Sequence, residues 1–388
     1  MRGELTGTGV TESSTRIVED EPIPLVDLAV QHREVASEVR QGWDDVIARS
    51  AYVLGDEVRR FEDAFAAFAG LRACVGVASG TDAIELALRA CDIGPGDDVI
   101  VPANTFIATA LAVMRAGARP VVVDVDADSY LLDLEQMRRH LGRKLKAVVP
   151  VHLYGQLVPM EQLRAALDGH DVMVVEDAAQ AHGARRHGLH AGALGAAAAT
   201  SFYPGKNLGA YGDAGAVLTD SPELAARIRA LRNWGGETKY EHPLAGFNSR
   251  LDTIQAVVLH AKLARLAAWN AARAEAAARY RELLADVPDV VAPTVVAGNE
   301  HVWHLYVVRV PRRDAVLEAL HERGIGAGIH YPVPIHLQGA LASLGHGPGD
   351  FPVAEAAART ILSLPLFPGI TELQQVRVVD ALRDALMR

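Results

Sequence analysis

Lysine is scarce in this chain, and one copy stands where a cation could do chemistry. The 388 residues contain five lysines, Lys144, Lys146, Lys206, Lys239 and Lys262. Lys144 and Lys146 sit beside an arginine at the start of an apolar run, Lys239 lies in a polar loop and Lys262 in an alanine-rich helical stretch. Each of these four reads as a solvated charge. Lys206 differs. It follows an apolar run that ends at Tyr203, within Ser201-Phe202-Tyr203-Pro204-Gly205-Lys206-Asn207-Leu208-Gly209. A long cation leaving the end of a buried strand, in a loop held by proline and glycine, points to a cleft. The Gly205-Lys206 pair is not a phosphate-binding P-loop, because Thr200 stands where that motif needs its first glycine.

Two further segments end apolar runs in polar groups. In Val174-Val175-Glu176-Asp177-Ala178-Ala179-Gln180-Ala181-His182-Gly183 a strand candidate closes on adjacent acids. Adjacent strand residues point to opposite faces, so the two carboxylates cannot share one task. A carboxylate at the carboxyl end of a parallel strand lies where such sheets bind ligands, although Asp also caps helices. In Ala78-Ser79-Gly80-Thr81-Asp82 small and hydroxyl residues join a strand candidate to a helix candidate. That arrangement caps a helix, and its free N–H groups and partial positive charge also suit a phosphate. Taken together, a phosphate cradle, an acid at a strand end and a lysine after a later strand meet the needs of pyridoxal phosphate. The phosphate anchors, the acid keeps the pyridine nitrogen protonated, and the lysine forms a Schiff base and moves protons.

These groups need a scaffold that brings strand ends together. Short apolar runs recur at Cys74 to Ala78, Val99 to Val101, Pro120 to Val125, Ala147 to His152, Val172 to Glu176, Thr200 to Tyr203 and Ala214 to Leu218. Near-continuous apolar runs predict strands buried on both faces, as in a mostly parallel sheet. Helix-period stretches such as Asp82 to Ala90 and Thr105 to Ala116 lie between them, which predicts an α/β domain over residues 23–255. From Thr253 to about Leu284 the chain is alanine-rich, without proline or glycine, and predicts one long connecting helix. A strand candidate at Trp303 to Val310 and helix candidates at Arg313 to Arg323 and Val353 to Ile361 predict a smaller α+β domain, so that 256–388 holds the connecting helix and this unit. Residues 1–22 are polar and aperiodic, a loose tail.

Composition narrows the function classes. A formal net charge of −10 with no basic run disfavours nucleic acid as a partner. No apolar run has the length of a membrane span or of a signal-peptide core, so a cytoplasmic protein without a membrane partner is expected. Cys74 and Cys91 belong to no CxxC pair and read as reduced core thiols, and no metal site is expected. A nicotinamide dehydrogenase would share the α/β pattern, but the chain lacks a GxGxxG turn after its first strand.

The same segments, in the same order, resemble the nucleotide-sugar aminotransferases of the DegT/DnrJ/StrS family, within the aspartate-aminotransferase fold (fold type I). The resemblance runs from about Ile23 to the C-terminus. Besides the three segments above it rests on Pro102-Ala103-Asn104-Thr105-Phe106, His152-Leu153-Tyr154-Gly155, Asn248-Ser249-Arg250-Leu251, His330-Tyr331-Pro332-Val333-Pro334-Ile335-His336 and Leu364-Pro365-Leu366-Phe367-Pro368. It implies a large domain with a mostly parallel seven-stranded sheet between helices. It also implies roles by position: Lys206 as the Schiff-base lysine, Asp177 at the pyridine nitrogen, Gln180 near the ring hydroxyl, Gly80, Thr81 and Ser201 at the phosphate, and Phe106 stacked on the ring. Asn248 would reach the phosphate of the partner subunit's cofactor, which implies a homodimer with its active sites at the interface. Lys239, Arg250, His330 and Tyr331 are candidates for holding substrate, and His182 and His336 for structural roles.

Family members that carry histidine at the lysine position dehydrate instead, and Lys206 argues against that branch. The wording of the Lys206 segment, with Tyr331 to Pro334 and His336-Leu337-Gln338, resembles members acting at C3 of a keto-sugar. The resemblance therefore implies amino transfer from L-glutamate to a 3-keto-6-deoxyhexose on a dTDP carrier, as in antibiotic-type deoxyamino sugars, with pyridoxal phosphate alternating with pyridoxamine phosphate. A C4 keto-sugar, a UDP-linked 3-keto-uronic acid and a cyclitol ketone are the competing substrates. A non-catalytic regulatory relative would belong to another class.

Overall fold

The computed structural model describes residues 21–388; the tail expected over 1–22 lies almost wholly outside these. All seven apolar runs overlap strands of one sheet, with the fourth and sixth strands starting and ending earlier than their runs: β1 (Ala73–Val77), β2 (Asp98–Pro102), β3 (Arg119–Val123), β4 (Leu145–Val148), β5 (Met173–Asp177), β6 (Ala197–Ser201) and β7 (Gly215–Thr219). Their order is β1-β7-β6-β5-β4-β2-β3, with β7 antiparallel to both its neighbours and every other pairing parallel. The runs are apolar without alternation because both faces are covered, and Val75, Ile100, Val175, Ala198 and Val217 are essentially inaccessible.

Ahead of the sheet lie α1 (Leu28–Arg49) and α2 (Asp56–Ala69), and α3 (Gly80–Ala90), α4 (Ala108–Ala116) and α5 (Pro222–Arg232) pack on it. Helix α3 enters from Ser79, whose side chain accepts from Asp82 N at 3.1 Å, an N-cap that removes one unpaired donor. Helix α4 starts at Ala108, three residues later than the apolar periodicity implies. Thr105 and Phe106 thereby form the turn at the carboxyl end of β2.

The stretch expected to be one long helix is two, α6 (Thr253–Leu263) and α7 (Leu266–Leu284). The break follows from what each half packs against. α6 lies on α1 and α2, whereas α7 lies on the C-terminal helix α10 (Glu372–Met387). At the junction Arg265 pairs with Glu38 of α1, and Lys262 turns inward, donating to Gly209 O at 2.7 Å. Composition gave no warning, since alanine favours continuation and the break is imposed by tertiary contacts.

The C-terminal unit pairs β8 (Tyr306–Arg309) with β9 (Ile361–Leu364) and adds α8 (Arg313–Glu322), α9 (Pro352–Thr360) and α10. Its core is a separate cluster that includes Tyr280, Tyr306, Leu320, Leu364 and Leu382. Residues 23–25, assigned by sequence to the large domain, pair with this unit instead. Ile23 exchanges backbone bonds with Gly324 and Gly326 and is buried in that same core, and Leu25 O accepts from Leu366 N. The described residues therefore start on the small unit and cross to the large one, lining the cleft between them with Leu25 and Val26.

Candidate active site

The carboxyl ends of β1, β2, β5 and β6 converge on a cavity of about 580 Å³, closed on its far side by His304, His330 and Tyr331 of the C-terminal unit. Open parallel sheets bind ligands at this edge, because successive crossovers leave a crevice there.

One end of the cavity is built for an anion. Gly80 and Thr81 are the first two residues of α3, so their N–H groups have no partner within the helix and point along its positive end. Ser201 closes over them. A Cβ on Gly80 would lie 2.5 Å from Ser201 Cβ, so only glycine lets the two strand ends approach this closely. Ser201 Oγ accepts from Tyr203 N at 3.2 Å, which leaves its proton free for the cavity.

Asp177 closes β5, and the alternation of strand side chains separates it from Glu176 as expected. Glu176 turns to the other face and is fully consumed, accepting from His152 Nε2 at 2.8 Å, Gly192 N at 3.0 Å and Gly195 N at 2.8 Å. Asp177 faces the cavity. Its Oδ2 accepts from Thr109 Oγ1 at 2.8 Å and its Oδ1 from Ala179 N at 3.1 Å. Burial pushes its carboxyl above the ordinary range, and those two bonds and Lys206 pull only partly the other way. Both bonded donors are neutral, and among the described residues no cation bonds Asp177. A buried carboxylate with no cation on it fits a ligand that brings its own N–H⁺, as a protonated pyridine does.

Lys206 follows β6 in a turn closed by its own N–H donating to Tyr203 O at 2.8 Å. Its side chain keeps some surface open to the cavity, yet burial lowers its pKa to about 8, with Asp177 opposing the shift. Gln180 lies between the two units. Its Oε1 accepts from Tyr154 N at 2.6 Å, which makes Nε2 the donor to Tyr331 Oη at 3.1 Å. Tyr331 thus keeps its own proton for the cavity, and burial holds the phenol well above its usual pKa. The Phe106 ring, half exposed at the mouth, stands 5.5 Å from that of Tyr331. His330 donates or accepts at Ser363 Oγ, 2.8 Å from Nδ1, and burial lowers its pKa to about 4.

Nine residues singled out from sequence therefore meet in one cavity: Gly80, Thr81, Phe106, Asp177, Gln180, Ser201, Lys206, His330 and Tyr331. Three do not. Asn248 is exposed, Lys239 lies over the Tyr240 ring on an outer loop, and Arg250 contacts Asn233 Oδ1 at 3.3 Å. None of them lines this chain's own cavity. His182, at 2.8 Å from Thr200 Oγ1 and lowered to about 3 by burial, and His336, at 3.1 Å from Glu355, sit in the packed interior away from it. Sequence reasoning missed Thr109, Tyr154 and His304. Thr109 and Tyr154 lie inside or beside quoted motifs, but nothing in the local pattern says that their hydroxyl or backbone groups reach Asp177 and Gln180.

A mostly parallel seven-stranded sheet with a buried acid and a lysine at its carboxyl edge, facing a small α+β unit, defines an aminotransferase of the pyridoxal-phosphate-dependent fold. The chain belongs to the DegT/DnrJ/EryC1/StrS aminotransferase family, whose model matches residues 34–383. It is 46% identical over 362 residues to the dTDP-3-amino-3,4,6-trideoxy-alpha-D-glucose transaminase of Streptomyces venezuelae, covering 93% of this chain and 96% of that one. It is 44% identical over 364 residues to a pleiotropic regulatory protein of Geobacillus stearothermophilus, covering 93% and 98% respectively. The crystal structure of S. venezuelae DesV in complex with a ketimine intermediate superposes with a TM-score of 0.92 at 46% identity, covering 95% of this chain and 99% of that one.

Proposed function

We propose that the chain transfers an amino group from L-glutamate to the C3 keto group of a dTDP-linked 3-keto-6-deoxyhexose, with pyridoxal phosphate carried on Lys206. The observation that carries the reading is the convergence of Lys206, Asp177 and the Gly80–Thr81–Ser201 cradle on one cavity. The sugar and its nucleotide rest on the likeness to the S. venezuelae transaminase. When bound, pyridoxal phosphate supplies an aldehyde that accepts amines and a ring that takes up electrons.

The chain's own groups divide the remaining work. The N–H groups of Gly80 and Thr81 and the hydroxyl of Ser201 hold the phosphate. Asp177 holds the proton on the pyridine nitrogen, and the Thr109 hydroxyl keeps the carboxylate turned toward it. Gln180 Nε2 has a second hydrogen for the ring hydroxyl, and Phe106 covers the ring face at the mouth. Lys206, with a pKa of about 8, has roughly a tenth of its amines neutral at pH 7, against a few in ten thousand for an ordinary lysine. A neutral amine at Lys206 Nζ would be able to take up a proton from the amino donor and release it again. Regulation without catalysis would give a partly open lysine of lowered pKa and a buried acid on the same cavity no task.

We further propose a cytoplasmic homodimer. Tyr52, Val53 and Ile254 form an exposed apolar surface, contiguous because Tyr52 O accepts from Thr253 N and Val53 bridges to Asp252. Such a surface suits a second copy. In that assembly Asn248 would reach the partner's phosphate site, and Lys239 and Arg250 its substrate.

The test is the absorbance of the protein loaded with pyridoxal phosphate, before and after L-glutamate. A visible band that moves to the near-ultraviolet, with one 2-oxoglutarate released per site, is the expected result. A band unchanged by glutamate overturns the donor, and no uptake of the cofactor overturns the reading as a whole. Product analysis with 3-keto and 4-keto dTDP-sugars, a UDP-3-keto-uronic acid and a cyclitol ketone then assigns the acceptor.

A further inference from the structure

We propose that His304 is a positioning residue for Lys206: its Nδ1–H, held by Asn207, ties the lysine loop to the C-terminal unit and keeps the amine at the cavity. The inference rests on the reading of Lys206 as the reacting amine.

The polarity of this contact is fixed by a chain of hydrogen bonds anchored on backbone carbonyls. Asn270 Nδ2 donates to His182 O at 2.8 Å, so Asn270 Oδ1 is an acceptor. Asn207 Nδ2 donates to that oxygen and to Val302 O, both at 2.9 Å. Asn207 Oδ1 is therefore an acceptor as well, and His304 Nδ1, 3.1 Å away, must carry the proton that bonds it. The neutral ring then has an unprotonated Nε2, and the side chain lines the cavity. The titratable groups around the ring are Lys206, Arg273, His330 and His182, of which burial keeps the two histidines neutral, and burial together with Lys206 holds His304 neutral.

Asn207 is the residue next to Lys206, and both units meet on it. From the large domain, Gln31 Nε2 donates to Asn207 O at 3.3 Å, and Lys262 of α6, the helix packed on α1 and α2, fixes the loop at Gly209. From the C-terminal unit come Val302 O and His304 Nδ1. The His304 backbone is itself set, because Val302 N donates to Gly155 O at 2.9 Å and Leu305 N to Tyr154 O at 3.3 Å. Gly155 admits this only as glycine; a Cβ there would lie 2.9 Å from His304 N. Loss of the His304 donor would leave Asn207 Oδ1 buried and unpaired, and the loop would relax by admitting water beside Lys206.

The experiment titrates Lys206 in the cofactor-free chain by acetic anhydride labelling across pH, read by mass spectrometry of the Lys206 peptide. The native chain should give a midpoint near 8. His304→Leu, which fills space but donates nothing, should raise the midpoint by about 1 unit, toward the ordinary value near 10.4. His304→Asn, whose amide nitrogen can replace Nδ1, should stay within about 0.3 unit of the native midpoint. An unchanged midpoint in His304→Leu overturns the proposal. So does a shift in His304→Asn as large as in His304→Leu, because packing alone would then account for both. The labelling uses no cofactor, so a chain that takes up no pyridoxal phosphate sinks the proposed function, while the hold of His304 on the Lys206 loop is still decided by the two variants alone.

Discussion

Thr109 and Asp177 meet across the large domain: the hydroxyl on the first turn of α4 donates to the carboxylate at the end of β5, 2.8 Å away. This bond orients the carboxylate, and it partly offsets the burial that favours the protonated acid.

Thr109→Val should therefore leave Oδ2 of Asp177 buried without its donor, a loss of about 1–3 kcal/mol where the carboxylate must be charged. Steady-state kinetics should show kcat lower by about 5-fold to 150-fold, since 1.4 kcal/mol is about ten-fold. Asp177→Asn should bind the cofactor and react orders of magnitude more slowly. Native rates in both variants would mean that Asp177 does not act on the ring.

Lys206→Ala and Gly80→Ala should fail in opposite ways. Lys206→Ala should abolish turnover and covalent capture of the cofactor by borohydride, while equilibrium dialysis still finds the cofactor held at its phosphate. Gly80→Ala places a Cβ 2.5 Å from Ser201 Cβ and spreads the cradle, so dialysis should show weakened binding with Lys206 intact. Normal turnover by Lys206→Ala would refute the catalytic assignment.

Uptake of the cofactor should follow the charge on Lys206. A neutral amine attacks the aldehyde and an ammonium does not, so the rate of covalent uptake should rise with pH through a midpoint near 8. Stopped-flow absorbance measures it, and a midpoint near 10 would show that burial does not tune this lysine.

Stability should carry a signature of the second buried lysine. Burial lowers Lys262 to about 8, whereas the unfolded chain titrates near 10.4. Below pH 8 both states hold the proton and the folded state bears the cost of burying it. Between about 8 and 10.4 the unfolded state binds more protons, so stability from this group rises with pH. Lys262→Met should flatten the rise of Tm across that window, measured by calorimetry. Parallel curves would exclude the effect.

Much of this architecture was legible because burial on both faces writes itself into composition. All seven apolar runs proved to overlap strands of one sheet, those at Ala147 to His152 and Thr200 to Tyr203 by two residues each, and the polar residues at Ser79 to Thr81, Asp177 and Ser201 to Lys206 proved to share its carboxyl edge. A strand end and a turn are local features, and each required residue type lay within a few positions of its neighbours. The break between α6 and α7 was not legible, because helix propensity is local and that break answers to two different packing partners. Nor were the contacts from Thr109 to Asp177 and from His304 to Asn207, whose partners stand 68 and 97 residues apart.

What the sequence determined by itself is the chemistry available: one lysine and one acid at strand ends, and a glycine at a helix start beside hydroxyls. What only the tertiary structure decided is the state of those groups. The pKa of Lys206, the raised pKa of the buried Asp177 carboxyl and the proton on His304 Nδ1 all arise from desolvation and from partners distant in sequence. Electrostatic energies depend on which atoms surround a charge, and that surrounding exists only once the chain has folded.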